Sequence, residues 1–437
     1  MTRPGGTWQN WGRTERIRPQ VVEYPSTVEA VRRSVRSAAG RGRPIKAVGA
    51  GHSFTGIAVA PGTLLELTEL QGVVTVDRER SRVRMLAGTR LHRIPALLAP
   101  YGLAMTNLGD IDRQSISGAI STGTHGTGAR FGGIATQVVA ATLVTADGEL
   151  LTVDEENSPE LLPAVALGLG ALGILVDVTL QCVPAFTLHA VERPEPLEAV
   201  VDDLHARAEA ADHFEFYWFP HTDVALTKTN TRGPADAVVA PLPPVGKFVD
   251  DILVGNGVHQ AVCSAGRAVP ALVPAINRVS AKVWGDRTFS DASHRVFATA
   301  RGVRFREMEY AVPLEHLPDA FRALRRVVDE RGWRVEFPVE VRVAAGDDLW
   351  MSTAYGRASG YLAVHRYWRV DPAEYFQAIE EVMLAYDGRP HWGKMHALDA
   401  AALRPRYPRF DDFIALRDRL DPNRVFRNAY LDRVLGE

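Results

Sequence analysis

Near the N-terminus the chain reads Pro44-Ile45-Lys46-Ala47-Val48-Gly49-Ala50-Gly51-His52-Ser53-Phe54, a short β-branched strand that runs into a glycine corner. Glycines at positions 49 and 51 allow positive φ angles and let several backbone N–H groups point to one side. A concave loop of this kind binds the oxygens of a phosphate or pyrophosphate, and His52 would touch whatever lies beyond them. An ordinary strand-to-turn corner with a surface histidine fits the same residues, so this stretch alone leaves both interpretations open.

A second cluster of small residues follows, Ser115-Ile116-Ser117-Gly118-Ala119-Ile120-Ser121-Thr122-Gly123-Thr124-His125-Gly126-Thr127-Gly128. Small side chains let the backbone approach a ligand closely, and the hydroxyl groups offer hydrogen bonds. A flexible loop, or a buried helix that uses small residues for tight packing, is the alternative. Two such clusters favour a large phosphate-bearing cofactor more strongly than either one does by itself.

A third glycine motif, Gly168-Leu169-Gly170-Ala171-Leu172-Gly173, has the spacing of the dinucleotide fingerprint. That fingerprint follows a strand and opens a helix. Here a predicted helix, 161–167, comes before the motif and a predicted strand, 174–183, comes after it. Acidic residues at about the right distance, Glu192 and Glu195, lie among prolines. We therefore expect no nicotinamide-binding Rossmann domain.

The composition predicts a packed globular protein of two or three lobes. Of 437 residues, 46% are hydrophobic, and the 50 basic and 52 acidic residues nearly balance, which excludes the charge footprint of a nucleic-acid binder. The two cysteines, Cys182 and Cys263, have no paired spacing, which fits a reducing cytosol. Residues 1–20 lack a signal-peptide core, and the longest uncharged stretch, 161–176, is shorter than the roughly 20 residues that span a bilayer. We expect a cytoplasmic location, with or without membrane association, and no transmembrane segment.

Hydrophobic periodicity predicts two α+β lobes. The first 185 residues contain predicted helices at 27–39 and 91–98, strands at 45–48, 63–67, 73–76 and 83–87, and a hairpin at 142–153 that turns at Asp147-Gly148. A loop or linker is expected at Arg232 to Lys247, which is rich in proline and glycine. Beyond it, the predicted helices carry Phe321, Leu324 and Val328, and Phe376, Ile379, Met383 and Tyr386, and the predicted strands are 334–344 and 360–370.

The strand 334–344 predicts a polar face. Its alternating valines place Glu340 and Arg342 together on the opposite side, and the same rule puts His365 and Tyr367 on one face of the next strand. A surface ion pair worth well under about 1 kcal/mol is the alternative for Glu340 and Arg342.

A compact polar and aromatic group, His391-Trp392-Gly393-Lys394-Met395-His396, follows near the C-terminus. In the simplest account Trp392 anchors the core and both histidines face solvent. No third ligand stands at a metal-motif spacing from the two histidines, so we expect no metal site.

Four motifs, taken together and in this order, carry a family resemblance: Gly49-Ala50-Gly51-His52-Ser53, Thr122-Gly123-Thr124-His125-Gly126, Glu340-x-Arg342 and His391-Trp392-Gly393-Lys394. The chain resembles the aldonolactone oxidoreductases of the vanillyl-alcohol-oxidase (VAO) type of flavoprotein. Within that family it is most similar to bacterial L-gulono-1,4-lactone dehydrogenases and D-arabinono-1,4-lactone oxidases, with alditol oxidases next. The resemblance covers nearly the whole chain, through Asp421-Pro422-Asn423-Arg424-Val425-Phe426.

The resemblance implies a two-lobed α+β fold that contains no Rossmann domain. A PCMH-type FAD-binding domain would span residues 1–185. A substrate or cap domain with a large antiparallel sheet would span residues 186–385. The C-terminal segment 386–437 would then return to the flavin site.

The cofactor implied by the resemblance is FAD. The residues Ala47, Val48, Gly49, Ala50, Gly51, His52 and Ser53 would wrap its pyrophosphate, and Ile174 would contact the adenine end. His52 would lie against the flavin, and in many relatives this histidine is joined covalently to the 8α-methyl group. The other implied cofactor residues are Asp110, Ser115, Gly118, Thr122, Gly123, Thr124, His125, His391 and Lys394.

The implied reaction passes the carbinol hydrogen of an alcohol to the flavin as hydride while the hydroxyl loses its proton. Arg342 would hold the lactone oxygens and favour a developing alkoxide, and Glu340 would accept hydrogen bonds from substrate hydroxyls. Lys394 would place a positive charge near the pyrimidine edge of the flavin. Lys394, His365 and Glu340 all remain candidates for the proton acceptor.

Two departures from the alditol oxidases bear on the substrate. Asp110 stands where those enzymes carry a serine, and Tyr367 where they carry a smaller threonine. Both changes narrow the site, so we expect oxidation of L-gulono-, L-galactono- or D-arabinono-1,4-lactone to an ascorbate-type product, with dioxygen or a redox carrier as electron acceptor. An alditol oxidase is the alternative enzyme. A flavin-bearing electron carrier is the alternative from another class, although a carrier needs no polar cap face.

Overall fold

The computed structural model describes residues 2–4, 6–243, 264, 266–283, 286–299 and 303–437. Residues 244–247 of the predicted linker, and Cys263, lie outside these ranges. The strands are β1 Thr2–Pro4, β2 Trp8–Gln9, β3 Arg16–Ile17, β4 Val21–Glu23, β5 Ile45–Val48, β6 Thr63–Glu66, β7 Val73–Asp77, β8 Arg82–Leu86, β9 Leu103–Ala104, β10 Val138–Val144, β11 Leu150–Asp154, β12 Ile174–Gln181, β13 Val183–Pro184, β14 Phe186–Pro196, β15 His213–Trp218, β16 Val224–Pro234, β17 Arg287–Ala292, β18 Phe305–Pro313, β19 Val339–Ala344, β20 Ser359–Tyr367 and β21 Arg389–Pro390.

The α-helices are α1 Val28–Ala39, α2 Ile94–Leu98, α3 Ile116–Ser121, α4 Leu162–Ala166, α5 Leu197–Asp202, α6 Leu204–Ala210, α7 Val273–Val283, α8 Ser293–Phe297, α9 Leu317–Glu330, α10 Ala373–Ala385, α11 Ala400–Leu403, α12 Phe410–Leu420 and α13 Ala429–Leu435. Short 3₁₀ turns add Gly56–Ala58, Leu67–Glu69, Leu91–Arg93, Ala99–Tyr101, Ile134–Gln137, Pro270–Leu272, Leu314–His316 and Arg404–Arg406. No helix in the described ranges is long and apolar enough to cross a bilayer.

The N-terminal part of the chain forms two sheets that pack around a shared apolar core. One has four strands in the order β1-β4-β6-β5, and the other has five antiparallel strands in the order β11-β10-β12-β8-β7. The helix α1 begins where the Thr27 hydroxyl accepts a hydrogen bond from Ala30 N–H, and it buries Val31, Val35 and Ala38. The predicted strands and the 142–153 hairpin are confirmed, since β10 pairs antiparallel with β11.

The context of the third glycine motif is as expected from the sequence. It follows the helix α4 and precedes the strand β12, so it does not open a helix after a strand. The arrangement of the two sheets contains no doubly wound parallel sheet. The prediction of a fold that is not a Rossmann fold is therefore confirmed.

An antiparallel sheet of eight strands dominates the rest of the chain, in the order β17-β14-β16-β15-β19-β20-β18-β21. Its helix-facing side is apolar: Phe216, Trp218, Val341 and Val364 pack with residues of α9 and α10 in one buried cluster. The opposite side carries buried charges. Because both sides are covered, β19 is buried along its whole length.

Three predicted boundaries were wrong. The strand predicted at 334–344 begins only at Val339, because Pro338 lacks the N–H that would extend the ladder. The strand predicted at 360–370 runs from Ser359 to Tyr367 and ends in a turn. The predicted linker begins late, since Arg232 to Pro234 still pair with β14.

The C-terminal segment packs against the strand that carries the glycine corner. Ile45 N–H donates to Val425 O at 2.9 Å, and the buried Lys46 ammonium donates to Phe426 O at 3.2 Å. Asp421 fixes the turn that precedes these residues by accepting from Val425 N–H at 2.6 Å and Phe426 N–H at 2.8 Å. Burial lowers the pKa of Lys46 to about 7, although Asp421 opposes that shift.

Replacing Asp421 with alanine should lower the free energy of unfolding by about 3 kcal/mol, because two buried N–H groups lose their acceptor. Urea denaturation of the purified protein measures this change. Asp418→Ala, in the last turn of α12 just before Asp421, is the matched control, since the Asp418 side chain is exposed and makes surface ion pairs. The free energy of unfolding of this variant should stay within about 1 kcal/mol of wild type. Equal effects of the two substitutions would contradict the buried role of Asp421.

Candidate active site

The two glycines of the opening corner have different tasks. Gly51 adopts a φ of +68°, which side chains disfavour, and its carbonyl accepts a hydrogen bond from Trp11 N–H at 2.7 Å. Gly49 has no positive φ, and is needed because a Cβ there would lie 2.3 Å from Ser115 Oγ. Ser115 in turn caps α3 by accepting from Gly118 N–H. The two small-residue clusters are thus in direct contact.

A cavity lies along this contact. Its walls are formed by 46–53, by residues of 114–122 and by 168–175, apart from Ala171. Ile174 is among the lining residues, as the family resemblance implied. The third glycine motif also contributes to the wall, with Gly170 O accepting a hydrogen bond from Lys46 Nζ at 2.7 Å. Sequence spacing excluded the motif as a fingerprint and gave no sign of this contact.

A second cavity begins where the first ends. The two share His52, Ser53, Gln114 and Thr122. His52 stacks on Trp11 with ring centroids 5.7 Å apart. Burial, with smaller contributions from Lys394, Arg90 and Arg113, lowers the pKa of His52 to about 4, so its imidazole is neutral near pH 7.

Arg342 stands on the far wall of the second cavity among three carboxylates. Its guanidinium pairs with Glu340, with Glu215 at 2.8 Å and with Asp110 at 3.6 Å. Burial opposes the charged form, yet the carboxylates raise the pKa of Arg342, so it remains a cation. Tyr217 OH donates to Glu340 at 2.8 Å and fixes the carboxylate from the other side.

Lys394 and His365 meet at one buried carboxylate, Glu307. The Lys394 ammonium pairs with one of its oxygens, and His365 Nε2 lies 3.4 Å from the other. Burial raises the pKa of Glu307, but Lys394 and His365 together outweigh burial and lower the pKa to about 2. The same pairing raises the pKa of Lys394 against the effect of its own burial. His365 Nδ1 donates to Pro338 O at 3.1 Å, so Nε2 is the ring nitrogen on the side of the second cavity.

A third group contains His125, Glu309 and His391, whose polar atoms lie close enough to hold a metal ion. Gly393 N–H, however, donates to His391 Nδ1 at 3.0 Å, so the proton of this neutral ring is on Nε2. Burial lowers the pKa of His391 to about 4. His125 Nε2 lies 3.2 Å from Glu309. The group therefore has the geometry of a hydrogen-bonded network.

The structure brings most of the predicted site residues together. Ala47, Val48, Gly49, Ala50, Gly51, His52, Ser53, Ser115, Gly118, Thr122 and Ile174 line the first cavity. Asp110, Thr124, His125, Glu340, Arg342, His365, His391 and Lys394 line the second. Gly123 and Tyr367 line neither. Tyr367 packs with Phe54, Phe305 and Phe337 beside the second cavity.

Sequence reasoning missed several charged and polar residues of the site. Glu307 and Glu309 alternate with apolar residues on β18, in the same pattern that revealed Glu340 and Arg342 on β19. This alternation could have predicted that Glu307 and Glu309 share the polar face of the sheet. Glu215 follows the same alternation on β15, between Phe214 and Phe216, but only the sheet pairing of β15 with β19 brings it opposite Arg342.

Comparison with known proteins agrees with this geometry. The profile of the D-arabinono-1,4-lactone oxidase family matches residues 178–434, and that of an FAD binding domain matches residues 19–154. The chain belongs to the D-arabinono-1,4-lactone oxidase family. It is 42% identical to the L-gulono-1,4-lactone dehydrogenase of Mycobacterium tuberculosis, over 98% of this chain and 99% of that one. It is 33% identical to the L-gulonolactone oxidase of Bos taurus, over 98% of each chain.

The fold of this family member is that of VAO-type flavoproteins. A cholesterol oxidase from B. sterolicum superposes with a TM-score of 0.83 over 100% of this chain and 97% of that one, at 19% sequence identity. The expected α+β architecture with a large antiparallel sheet is confirmed, as is membership of a family of FAD-dependent oxidoreductases.

The first cavity fits FAD. Residues 47–53 line one side of it and the small residues Ser115, Ser117, Gly118, Ser121 and Thr122 line another, so the backbone can approach a phosphate-bearing cofactor closely. Gln114 lies where the two cavities join. Its Nε2 donates to Thr124 Oγ1 at 3.1 Å, while its buried Oε1 has no hydrogen-bond partner within the described part of the chain. A buried acceptor of this kind is suited to an N–H of the flavin ring.

Gln114→Leu should weaken FAD retention about tenfold, which corresponds to about 1.4 kcal/mol for one lost hydrogen bond. Equilibrium dialysis of FAD against deflavinated protein measures the change. Arg113→Gln, at an exposed neighbouring position, is the control and should stay within about twofold of wild type. If a covalent bond holds the flavin, the readouts are the visible absorption spectrum and the redox potential of the flavin in Gln114→Leu. A spectrum and a potential equal to those of the wild type would refute the hydrogen bond from the flavin to Gln114.

Proposed function

We propose that this protein oxidises a sugar-derived 1,4-lactone, such as L-gulono-, L-galactono- or D-arabinono-1,4-lactone, by hydride transfer to FAD, giving an ascorbate-type product. The observation that carries this proposal is the position of Arg342. Its guanidinium is buried among Asp110, Glu215 and Glu340 on a cavity that also contains His52. A cation held in this way orients a polar substrate and stabilises negative charge as its hydroxyl is deprotonated.

FAD, when bound, supplies the two-electron acceptor for the carbinol hydrogen. The protein supplies orientation. Glu340 and Asp110 accept hydrogen bonds from substrate hydroxyls, and Arg342 donates to the lactone oxygens. Lys394 is kept charged by Glu307 and provides a positive charge beside the cofactor. The residues with these roles are Glu340, Arg342, Lys394 and His365 in catalysis, and Asp110, Glu340 and Arg342 toward the substrate. The expected substrate contact of Tyr367 is not part of the proposal, because its ring packs with Phe54, Phe305 and Phe337 beside the cavity and does not line it.

Of the three candidates for the proton acceptor, His365 is favoured. Lys394 is protonated because Glu307 raises its pKa, and Glu340 is committed to Arg342 and Tyr217. His365 Nδ1 uses its hydrogen on Pro338 O, so Nε2 carries a lone pair. Once Nε2 takes up the proton, Glu307 stabilises the imidazolium at 3.4 Å.

The charges of the cavity support a neutral, hydroxyl-rich substrate. Its lining contains the carboxyl groups of Asp110, Glu307, Glu309 and Glu340, but only two residues, Arg342 and Lys394, whose charge is always positive near pH 7. An anionic sugar acid would meet a net negative wall. The alternative, an alditol oxidase of the same fold, offers a substrate of the same charge, and the bulk of Asp110 in the cavity wall favours the compact lactone ring.

Further assignments belong to this proposal. FAD would lie between the glycine corner and the second cluster, with His52 as the residue that bonds covalently to the flavin. The domains would be 1–185 for FAD, 186–385 for the cap, and 386–437 for the returning segment. The electron acceptor would be dioxygen or a redox carrier, and the cysteine usage supports a cytoplasmic location.

Arg342→Ala should lower kcat on L-gulono-1,4-lactone by about 10²–10³-fold while the flavin stays bound, because the guanidinium that stabilises the alkoxide is gone. Steady-state turnover and flavin absorbance measure the two effects. Removal of the Arg342 side chain leaves buried carboxylates without a partner. Arg342→Lys is therefore a second variant, which keeps the positive charge but loses the planar, two-pronged guanidinium.

Arg325→Ala is the matched control for Arg342. Arg325 also pairs with two carboxylates, Glu198 and Asp223, but at the surface. We expect turnover within about twofold of wild type. Unchanged lactone turnover in both Arg342 variants would refute the proposed function.

Glu307→Gln should lower kcat by about 10²-fold and move the alkaline limb of the pH–rate profile to lower pH. The direction follows from the charge: Glu307 raises the pKa of Lys394, so its removal lets the ammonium lose its proton earlier. The control is Glu336→Gln, a buried carboxylate that binds Arg366 and Tyr367 N–H outside the cavity. Profiles with the same alkaline limb in wild type and Glu307→Gln would contradict this role.

A further inference from the structure

A third cavity, of about 940 Å³, lies between β18, α10, α13 and the residues 54–59. Its volume falls within the range of small-molecule sites in proteins. The buried ring of Phe54 lines both this cavity and the catalytic one, so the two spaces are neighbours. The proposed lactone oxidation uses none of the residues that line this cavity alone.

The lining favours a flat, unsaturated ligand. Phe54, Phe376 and Tyr430 contribute aromatic rings, and Met308 and Met395 contribute polarizable thioethers. Charged residues complete the wall, among them Arg306, whose guanidinium is a donor for a carbonyl oxygen. Such a wall is more polar than that of an acyl-chain site and more apolar than that of a sugar site.

His396 adds a hydrogen-bond acceptor to the same wall. Tyr430 OH donates to Trp392 O at 3.1 Å, so its oxygen accepts from His396 Nε2–H at 2.9 Å. The ring proton is thus on Nε2. Burial, with the nearby Arg433 and His391, lowers the pKa of His396 to about 3. The lone pair on Nδ1 is buried and has no partner among the described residues, and it is suited to an O–H of a ligand.

The cavity lies next to the proposed flavin site, where a molecule that accepts electrons from the flavin could bind. Oxidation of a substrate leaves two electrons on the cofactor, and they must leave before the next turnover. From His52, at the junction of the cofactor and catalytic cavities, the chain reaches Phe54 within two residues. The Lys394 ammonium lies 5.5 Å from the centre of the Phe54 ring on the catalytic side.

We propose that the cavity between α10 and α13 binds a quinone that reoxidises the reduced flavin. Two electrons pass from the flavin hydroquinone to the quinone, and two protons, from the flavin and from solvent, complete the hydroquinone. Arg306 donates to a carbonyl oxygen of the quinone, and His396 Nδ1 accepts from an O–H of the product. This inference rests on the proposed FAD chemistry but not on the identity of the lactone.

The test reduces the flavin by illumination with EDTA as the electron donor, under anaerobic conditions and with no sugar present. Stopped-flow absorbance then follows its reoxidation by 1,4-benzoquinone. We expect a rate that saturates with quinone concentration in the wild type. In Gln377→Trp, which places an indole in the cavity from α10, we expect the second-order rate constant to fall at least tenfold. Reoxidation by dioxygen should stay within twofold in the same variant.

Glu374→Trp is the matched control, because Glu374 is exposed on α10 and does not line the cavity. It should react with benzoquinone as the wild type does. Ala373→Trp, which also lines the cavity, is the second variant if Gln377→Trp fails to fold. Equal quinone rate constants in the cavity variants and in the wild type would overturn the inference.

Purified protein without flavin colour would refute the proposed function, and the quinone site would then be tested by calorimetric titration with 1,4-naphthoquinone. Binding that is lost in Gln377→Trp and kept in Glu374→Trp would support the site. Absence of binding to the wild type would overturn it.

Discussion

The site depends on one constraint: the charges on the inner face of the eight-stranded sheet are buried, so they must satisfy one another. Arg342 is balanced by Glu340, Glu215 and Asp110, and Lys394 by Glu307. A buried charge without a partner costs several kcal/mol, whereas a fully paired network removes most of that cost. The pairing also fixes each side chain, because a carboxylate that binds a cation restricts the rotamers of both side chains. Catalytic orientation and stability therefore come from the same contacts.

This constraint explains why the sheet is apolar on one side and ionic on the other. Valines 339, 341 and 343 fill the core beneath α9 and α10, and the residues between them point toward the glycine corner. A one-residue slip of β19 would exchange the two faces and bury Arg342 among helices. Pro338 sets the residue at which β19 begins, and its carbonyl accepts the hydrogen bond from His365. The register of the sheet and the protonation of the candidate base are thereby linked.

The parts of the site that the sequence predicted are those with a local signature. The glycine corner, the second small-residue cluster and the Glu340–Arg342 pair follow from backbone geometry and from strand alternation. Glu307 and Glu309 follow the same alternation and were within reach of the same reasoning. Glu215 also follows it, between Phe214 and Phe216, but only the pairing of β15 with β19 shows that it lies opposite Arg342. Gln114 was missed for a similar reason, since its unpartnered oxygen is visible only once two cavities meet beside it.

The amino-acid sequence by itself predicted most of the helices and strands, showed that the third glycine motif does not open a helix after a strand, and identified the glycine corner as a candidate phosphate-binding loop. These features depend on neighbours within a few residues. The tertiary structure decided what those elements do together. It turned the third glycine motif from a rejected fingerprint into part of the wall of the first cavity. It placed His52 at the junction of two cavities and gave Gly49 its role through contact with Ser115, far along the chain. Such contacts join residues that are distant in sequence, and no local pattern encodes the distance between them.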